Sequence, residues 1–201
     1  MDWKIGLISF ALIFPVELPD KTFVAALVLS TRYRPLAVWV GVGLAFGVQC
    51  VVAVTAGTAV SFLPEWVIHA LSTTMFLVGA ILLLIAAPKA DAAEHDQEEE
   101  FGAKAVADRK GWRAVLASFL LLFAAEWGDL TQFLTLNLVA KYGHPVSVFV
   151  GSWAALLVVS ALAVVGGRVL LRYMRLSLLH YIAGCVCLVF AGVGGYQLIT
   201  G

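Results

Sequence analysis

Apolar residues in this chain come in runs. Six of them, at about 5–30, 36–63, 66–87, 114–140, 146–171 and 177–200, are separated by polar breaks. Each is long enough to cross a bilayer as a helix, which takes about 20 apolar residues. Most breaks are short and carry proline, glycine or charge: Arg32-Tyr33-Arg34-Pro35, Pro64-Glu65, Lys141-Tyr142-Gly143-His144-Pro145, and Arg172 to Arg175. One break is long, about Pro88 to Arg113, and holds Glu94-His95-Asp96-Gln97-Glu98-Glu99-Glu100. A like-charge run of this kind reads as a solvated linker; a metal-sensing or regulatory loop is the alternative. The first run lacks a small-residue cleavage site before Glu17 and reads as a retained helix, not a signal peptide. The pattern predicts an all-α polytopic membrane protein with six transmembrane helices. Residues 1–87 form a first three-helix repeat, 88–113 a charged cytoplasmic linker, and 114–201 a second three-helix repeat.

Composition narrows the function classes. Of 201 residues, 62% are hydrophobic and 13% charged, against about 45–50% and about 25% in soluble domains. No soluble catalytic domain fits beside six helices. Thirteen basic and thirteen acidic residues cancel, which leaves no basic face for nucleic acid. Cys50, Cys185 and Cys187 lie in apolar runs without a CxxC pair and read as small core residues, the last two on different faces. His69, His144 and His180 fall near membrane edges and His95 in the linker, so none supplies a proton relay.

Charge placement sets orientation. Arg32, Arg34, Lys89, Lys104, Arg109, Lys110, Arg113, Arg168, Arg172 and Arg175 fall on one side, and only Lys4 and Lys141 on the other. The positive-inside rule puts the first, third and fifth connections in the cytoplasm and both termini outside. A bacterial plasma (inner) membrane is the expected location. Trp3, Trp66 and Trp112 sit where an aromatic belt would place them.

The two halves repeat. At an offset of 109, Ser9 meets Ser118, Phe10 Phe119, Phe14 Phe123, Glu17 Glu126, Asp20 Asp129, Thr22 Thr131 and Tyr33 Tyr142. One residue more of offset pairs Pro35 with Pro145, Gly41 with Gly151 and Gly57 with Gly167. Three helices per half is an odd number, so the halves are expected to be inverted, a transporter architecture.

Glu17, Asp20, Glu126 and Asp129 are the acids that fall well inside apolar runs. A carboxylate at the bilayer centre costs about 2.5–3.5 kcal/mol on the insertion scale. Such groups must pair, bind a cation or be protonated. Each Glu/Asp pair is spaced i, i+3 and is expected on one helix face. Inversion would bring both pairs to a shared midplane, with Thr22, Thr131 and the amide of Gln132. All are hard oxygen ligands, suited to Ca²⁺, Mn²⁺ or Mg²⁺; no Cys or His in either motif supports zinc or copper. Pro15 and Pro19 remove helical donors and free carbonyls, and Gly128 permits a similar break in the second half. Lys21 is a counter-ion for Asp20 or Glu17, or else snorkels; its repeat partner is Leu130. Four acids and one lysine give a formal charge of −3. A divalent ion leaves −1 and a proton brings it to zero, so protons should compete with metal. Gly43 with Gly47, and Ala191 with Gly195, read as small-residue packing stripes. Gly166-Gly167 reads as loosening the fifth helix.

The two motifs, Glu17-Leu18-Pro19-Asp20-Lys21-Thr22 and Glu126-Trp127-Gly128-Asp129-Leu130-Thr131-Gln132, resemble those of the GDT1 family, whose pattern is two copies of E-x-G-D-[KR]-[TS], one per half. The resemblance covers essentially the whole chain. It implies export of Mn²⁺ or exchange of Ca²⁺ or Mn²⁺ for protons. It also implies a cation site at Glu17, Asp20, Glu126 and Asp129, with Thr22, Thr131 and Gln132 in support. Pro19 stands where the family has Gly, and Leu130 where it has Lys or Arg.

The expected function is therefore a secondary transporter exporting Mn²⁺ and/or Ca²⁺, with divalent ions, protons and the lipid bilayer as partners and no cofactor beyond the transported ion. The alternatives are an exporter of small organic cations or amino acids and a non-transport membrane assembly protein. An intramembrane enzyme has no Ser/His or H-E-x-x-H arrangement behind it.

Overall fold

The computed structural model describes residues 1–18, 20–105, 111–173 and 176–200. Pro19, Asp108, Arg109, Lys110 and Arg175 lie outside them, as do the side chains of Glu65, Glu94, His95, Arg168 and Arg172. Every regular element among the described residues is helical. The helices are α1 (Trp3–Glu17), α2 (Lys21–Arg32), α3 (Pro35–Val60), α4 (Glu65–Ala86), α5 (Ala90–Lys104), α6 (Trp112–Ala125), α7 (Leu130–Tyr142), α8 (Pro145–Tyr173) and α9 (Leu176–Thr200).

Local chemistry sets their ends. Asp2 caps α1, accepting from the Lys4 amide at 2.9 Å. Pro35 opens α3 at a position where its missing N–H costs nothing. Gly143, in the left-handed region at φ 67°, stops α7, and Pro145 starts α8 two residues on. α1 runs straight through Pro15; its end comes at Glu17.

Four stretches are long and apolar enough to cross a membrane: Pro35–Val60, Trp66–Ala93, Pro145–Gly166 and Leu176–Tyr196. α6 and α7 pass the same test together as one span bent by 75°. Val51, Leu77, Ile85, Val165 and Val189 are exposed around the outside; an apolar surface of this extent belongs against lipid. Trp3, Trp66 and Trp112 are exposed as well.

The connection between the halves is more structured than a solvated linker. A 3₁₀ turn at Ala87–Lys89 leads into α5. The acids Asp96, Glu99 and Glu100 face solvent, but Ala90, Phe101 and Ala105 are buried, so α5 lies against the bundle through one face. Glu100 pairs with Lys104 at 2.5 Å, which holds its carboxyl below the usual glutamate range. Cys185 corrects another expectation. Cys50 and Cys187 are buried, while Cys185 faces outward, because two residues on a helix turn through about 200°.

Packing crosses between the halves. A Cβ on Gly41 of α3 would lie 2.4 Å from the carbonyl oxygen of Val115 in α6. A Cβ on Gly151 of α8 would lie 2.1 Å from the carbonyl oxygen of Gly6 in α1. These two contacts are related by the repeat offsets read from the sequence. So are the stacked pairs Phe10–Phe14 and Phe119–Phe123, with ring centroids 5.6 and 5.5 Å apart. The Gly43/Gly47 stripe faces α8, where the Trp153 indole donates to the Gly43 carbonyl at 2.9 Å.

Candidate functional site

Both motifs sit at helix breaks. Glu17 is the last residue of α1, and Asp20 is the N-cap of α2, its Oδ1 accepting from the Lys21 amide at 2.7 Å. Glu126 closes α6 and Asp129 caps α7, its Oδ1 accepting from the Gln132 amide at 3.0 Å. Gly128 makes the second turn at φ 78°, a conformation that costs glycine little. The paired acids therefore do not share a helix face. Each pair is brought together by a tight turn: the Asp20 amide donates to the Glu17 carbonyl at 3.1 Å, the Asp129 amide to the Glu126 carbonyl at 3.4 Å. Helix C-termini present carbonyls to a cation, while N-termini stabilise the capping carboxylates.

The two breaks meet inside the bundle. Glu17, Asp20 and Glu126 offer oxygens within 4.8 Å of one another. That spacing suits a hard cation with oxygens at about 2.3–2.6 Å. Asp129 is not part of this triangle. It stands one hydroxyl away, since Thr131 Oγ1 lies 2.6 Å from both Glu17 Oε2 and Asp129 Oδ2. Thr22 donates to Glu17 Oε1, also at 2.6 Å. Gln132 acts on the turn: its Oε1 accepts from the Gly128 amide at 3.0 Å, so in this arrangement it supports the site and does not face an ion with its oxygen.

The hydrogen bonding breaks the repeat. By offset, Thr131 stands to Glu126 as Thr22 stands to Glu17. Instead Thr22 serves Glu17 and the Thr131 hydroxyl sits between Glu17 and Asp129, so neither reaches Glu126. Glu126 is 1% exposed, and neither oxygen has a hydrogen-bond partner among the described residues. Its nearest cation is Lys21, with Nζ 3.8 Å from Oε1. Lys21 thus faces the acid of the other half, not Asp20 or Glu17 as the sequence suggested. Its counterpart Leu130 is turned away and packs on Gly79 of α4.

Beside Asp129 and Thr131 lies a cavity of about 10 Å³, lined also by Gln132, Thr135, Gln49 and Cys50. A space of that size holds roughly one water or one bare ion. Gln49 was not singled out from sequence, although it is the one amide in the second apolar run. A second polar contact that went unread joins buried Ser72 of α4, which donates to Asn137 Oδ1 of α7.

The geometry makes Thr131 the link between the acids of the two halves. Thr131→Val removes the hydroxyl at constant shape and leaves two carboxylate oxygens without it. A buried polar group that loses its partner costs about 1–3 kcal/mol. Binding of a divalent cation to the purified protein is expected to weaken on the order of tenfold or more with the protein still monodisperse. Unchanged affinity would remove Thr131 from the site.

The sequence model of the family described as "Divalent cation/proton antiporter GDT1" matches residues 5–91 and 114–200. The chain is 32% identical over 192 residues to GDT1-like protein sll0615 of Synechocystis, covering 92% of this chain and 93% of that one. It is 31% identical over 212 residues to the chloroplastic protein PAM71 of Arabidopsis thaliana, covering 96% of this chain and 56% of that one. A GDT1-like protein of Schizosaccharomyces pombe is 24% identical, covering 90% of this chain and 86% of that protein. The chain thus spans a little over half of the plant protein's length and nearly all of the cyanobacterial one. No solved structure matches.

Proposed function

Because the chain belongs to the GDT1 family of divalent cation/proton antiporters, we propose that it exports Mn²⁺ and/or Ca²⁺ in exchange for protons through the acids at its two helix breaks. Glu17, Asp20, Glu126 and Asp129 bind the ion or the protons that replace it, with Thr22, Thr131 and Gln132 holding them in place. The observation that carries this reading is Glu126. A carboxyl group 1% exposed without a hydrogen bond is expensive unless something charged or a proton comes to it. The convergence of Glu17, Asp20 and Glu126 within 4.8 Å says what kind of partner fits.

Charge arithmetic supports exchange. Four acids and Lys21 carry −3 when fully ionised. A divalent ion leaves −1, and one proton neutralises the rest. With no metal bound, protons must take over most of that compensation, so loading metal releases protons. A cavity of about 10 Å³ favours a bare ion over an organic cation or amino acid.

In this reading the chain crosses the membrane six times. α1 with α2 and α6 with α7 are the broken first spans of two inverted halves, and both termini face outside. The offset-related contacts Gly6–Gly151 and Val115–Gly41 support a two-fold relation between the halves. The charge bias of the loops supports the orientation in a bacterial plasma membrane.

Proteoliposomes test the proposal. Vesicles with an acidic lumen should accumulate Mn²⁺ or Ca²⁺ faster than vesicles at equal pH, because protons leaving drive metal entry. A protonophore should abolish the difference. Divalent flux indifferent to the pH gradient would sink exchange; absence of any divalent flux from folded protein would sink transport.

A further inference from the structure

Gln49 lies in the middle of α3, outside both motifs, and is 4% exposed. Its Nε2 donates to the carbonyl oxygen of Phe123 at 3.3 Å. That carbonyl is near the end of α6, where the break at Gly128 removes the helical donors that the last carbonyls would otherwise meet. The bond fixes which way the amide points. With Nε2 committed to Phe123, Oε1 is the free end, and among the described residues no donor reaches it. Gln49 lines the small cavity that also holds Asp129 and Thr131.

The other half has no such group. The residue at the repeat offset is Val159, buried and apolar. The carbonyl matching Phe123 is that of Phe14, which accepts from the Leu18 amide at 3.2 Å inside its own chain segment. An amide at this depth is therefore not a demand of the repeated architecture. It is present on one side only, where it lines the cavity beside Asp129 and Thr131.

Resting on the transport reading above, we propose that Gln49 is a specificity-determining residue of the cation site, offering its amide oxygen as a neutral ligand oriented by the Phe123 carbonyl. The ion class it favours follows from ligand number. Ca²⁺ takes 6–8 oxygens, whereas smaller divalent ions settle for near-octahedral six. On the side of the site that Gln49 lines, Asp129 is the one carboxylate, beside the converging Glu17, Asp20 and Glu126, so a large ion that extends there is short of oxygens. A neutral oxygen adds coordination without adding charge, and its loss hurts the high-coordination ion more.

The test uses full-length protein in proteoliposomes at one fixed pH gradient, with KM and kcat measured separately for Ca²⁺ and Mn²⁺. Gln49→Met keeps the length and removes the oxygen. It should raise KM for Ca²⁺ about tenfold and KM for Mn²⁺ only about twofold, with kcat little changed. Gln49→Glu restores an oxygen and adds charge, and should shift the KM ratio back towards Ca²⁺. A purely structural cap on Phe123 predicts something else: both variants melt earlier and the Ca²⁺/Mn²⁺ KM ratio stays within about twofold of wild type, which overturns the proposal. If Gln49→Met does not fold, the ratio measured for Gln49→Glu and for the shortened amide Gln49→Asn decides by the same criterion. A wild type that moves no divalent ion overturns the transport reading and this one with it. A wild type that moves both ions with a ratio insensitive to position 49 overturns only this one.

Discussion

Glu126→Gln is expected to lower proton-coupled divalent flux by about 100-fold or more while the protein stays folded. The side chain keeps its size and loses its charge. A buried neutral amide costs less than a buried carboxylate with no hydrogen bond, so the melting temperature in detergent should hold or rise. Transport should not survive. One unit pair at 4 Å is worth about 4 kcal/mol at an effective dielectric of 20. A divalent ion doubles the gross attraction, and desolvation takes back much of it. A net loss of about 3 kcal/mol is already roughly 100-fold. The coupling should fail for a second reason. With three acids and Lys21 the site carries −2, which a divalent ion neutralises without any proton. Lys21 also loses the carboxylate it faces at 3.8 Å. Wild-type flux with intact pH dependence in a Glu126→Gln protein would place the cation path elsewhere. A membrane assembly protein would be nearly indifferent to the change.

Gly151→Ala is expected to damage the fold itself. The added Cβ would sit 2.1 Å from the Gly6 carbonyl oxygen, with the Gly6 carbon and Cα at 2.9 and 3.0 Å. The obstacle is backbone within a helix, which cannot rotate aside as a side chain would. Overpacking of this kind costs about 1–3 kcal/mol and more where nothing yields. Yield and detergent melting temperature should both drop, and Gly41→Ala should behave alike because its Cβ meets the Val115 carbonyl. Gly192→Ala is the control: nothing lies within 4 Å of its Cβ, so it should be tolerated. If Gly151→Ala melts with wild type, α1 and α8 are not in this contact.

These two changes probe different kinds of information in the chain. The helical character of the protein and the places where its first and fourth apolar runs break were legible. Hydrophobicity and glycine or proline act on their immediate neighbours, and Gly128 takes its positive φ wherever α6 ends up. The candidate acids were legible because a carboxylate inside an apolar run stands out against its surroundings. The i, i+3 spacing was read correctly as proximity and incorrectly as a shared helix face, since the turn at each break brings the acids together. The helical linker was missed because its acidic run hides an apolar face; Phe101 and Ala105 join the core of the bundle, and α5 packs chiefly on α2, an element of the first apolar run far from it in sequence.

By itself, the sequence determined where the chain is apolar, where its charges fall, and that one motif recurs at matching places in two apolar runs. Tertiary structure alone decided which groups those motifs touch. The repeat offers two threonines to two glutamates on equal terms, yet Thr22 goes to Glu17, Thr131 lies between Glu17 and Asp129, and Glu126 is left to Lys21. Gln49 lines the cavity beside Asp129 and Thr131 from a helix that carries no motif and is held by a bond to Phe123, 74 positions away. The reason is the range of the forces involved. Hydropathy and backbone preference are settled within a few residues. A hydroxyl with a single proton settles its partner only when helices from different parts of the chain have packed, and there the choice need not respect the symmetry of the sequence that made it.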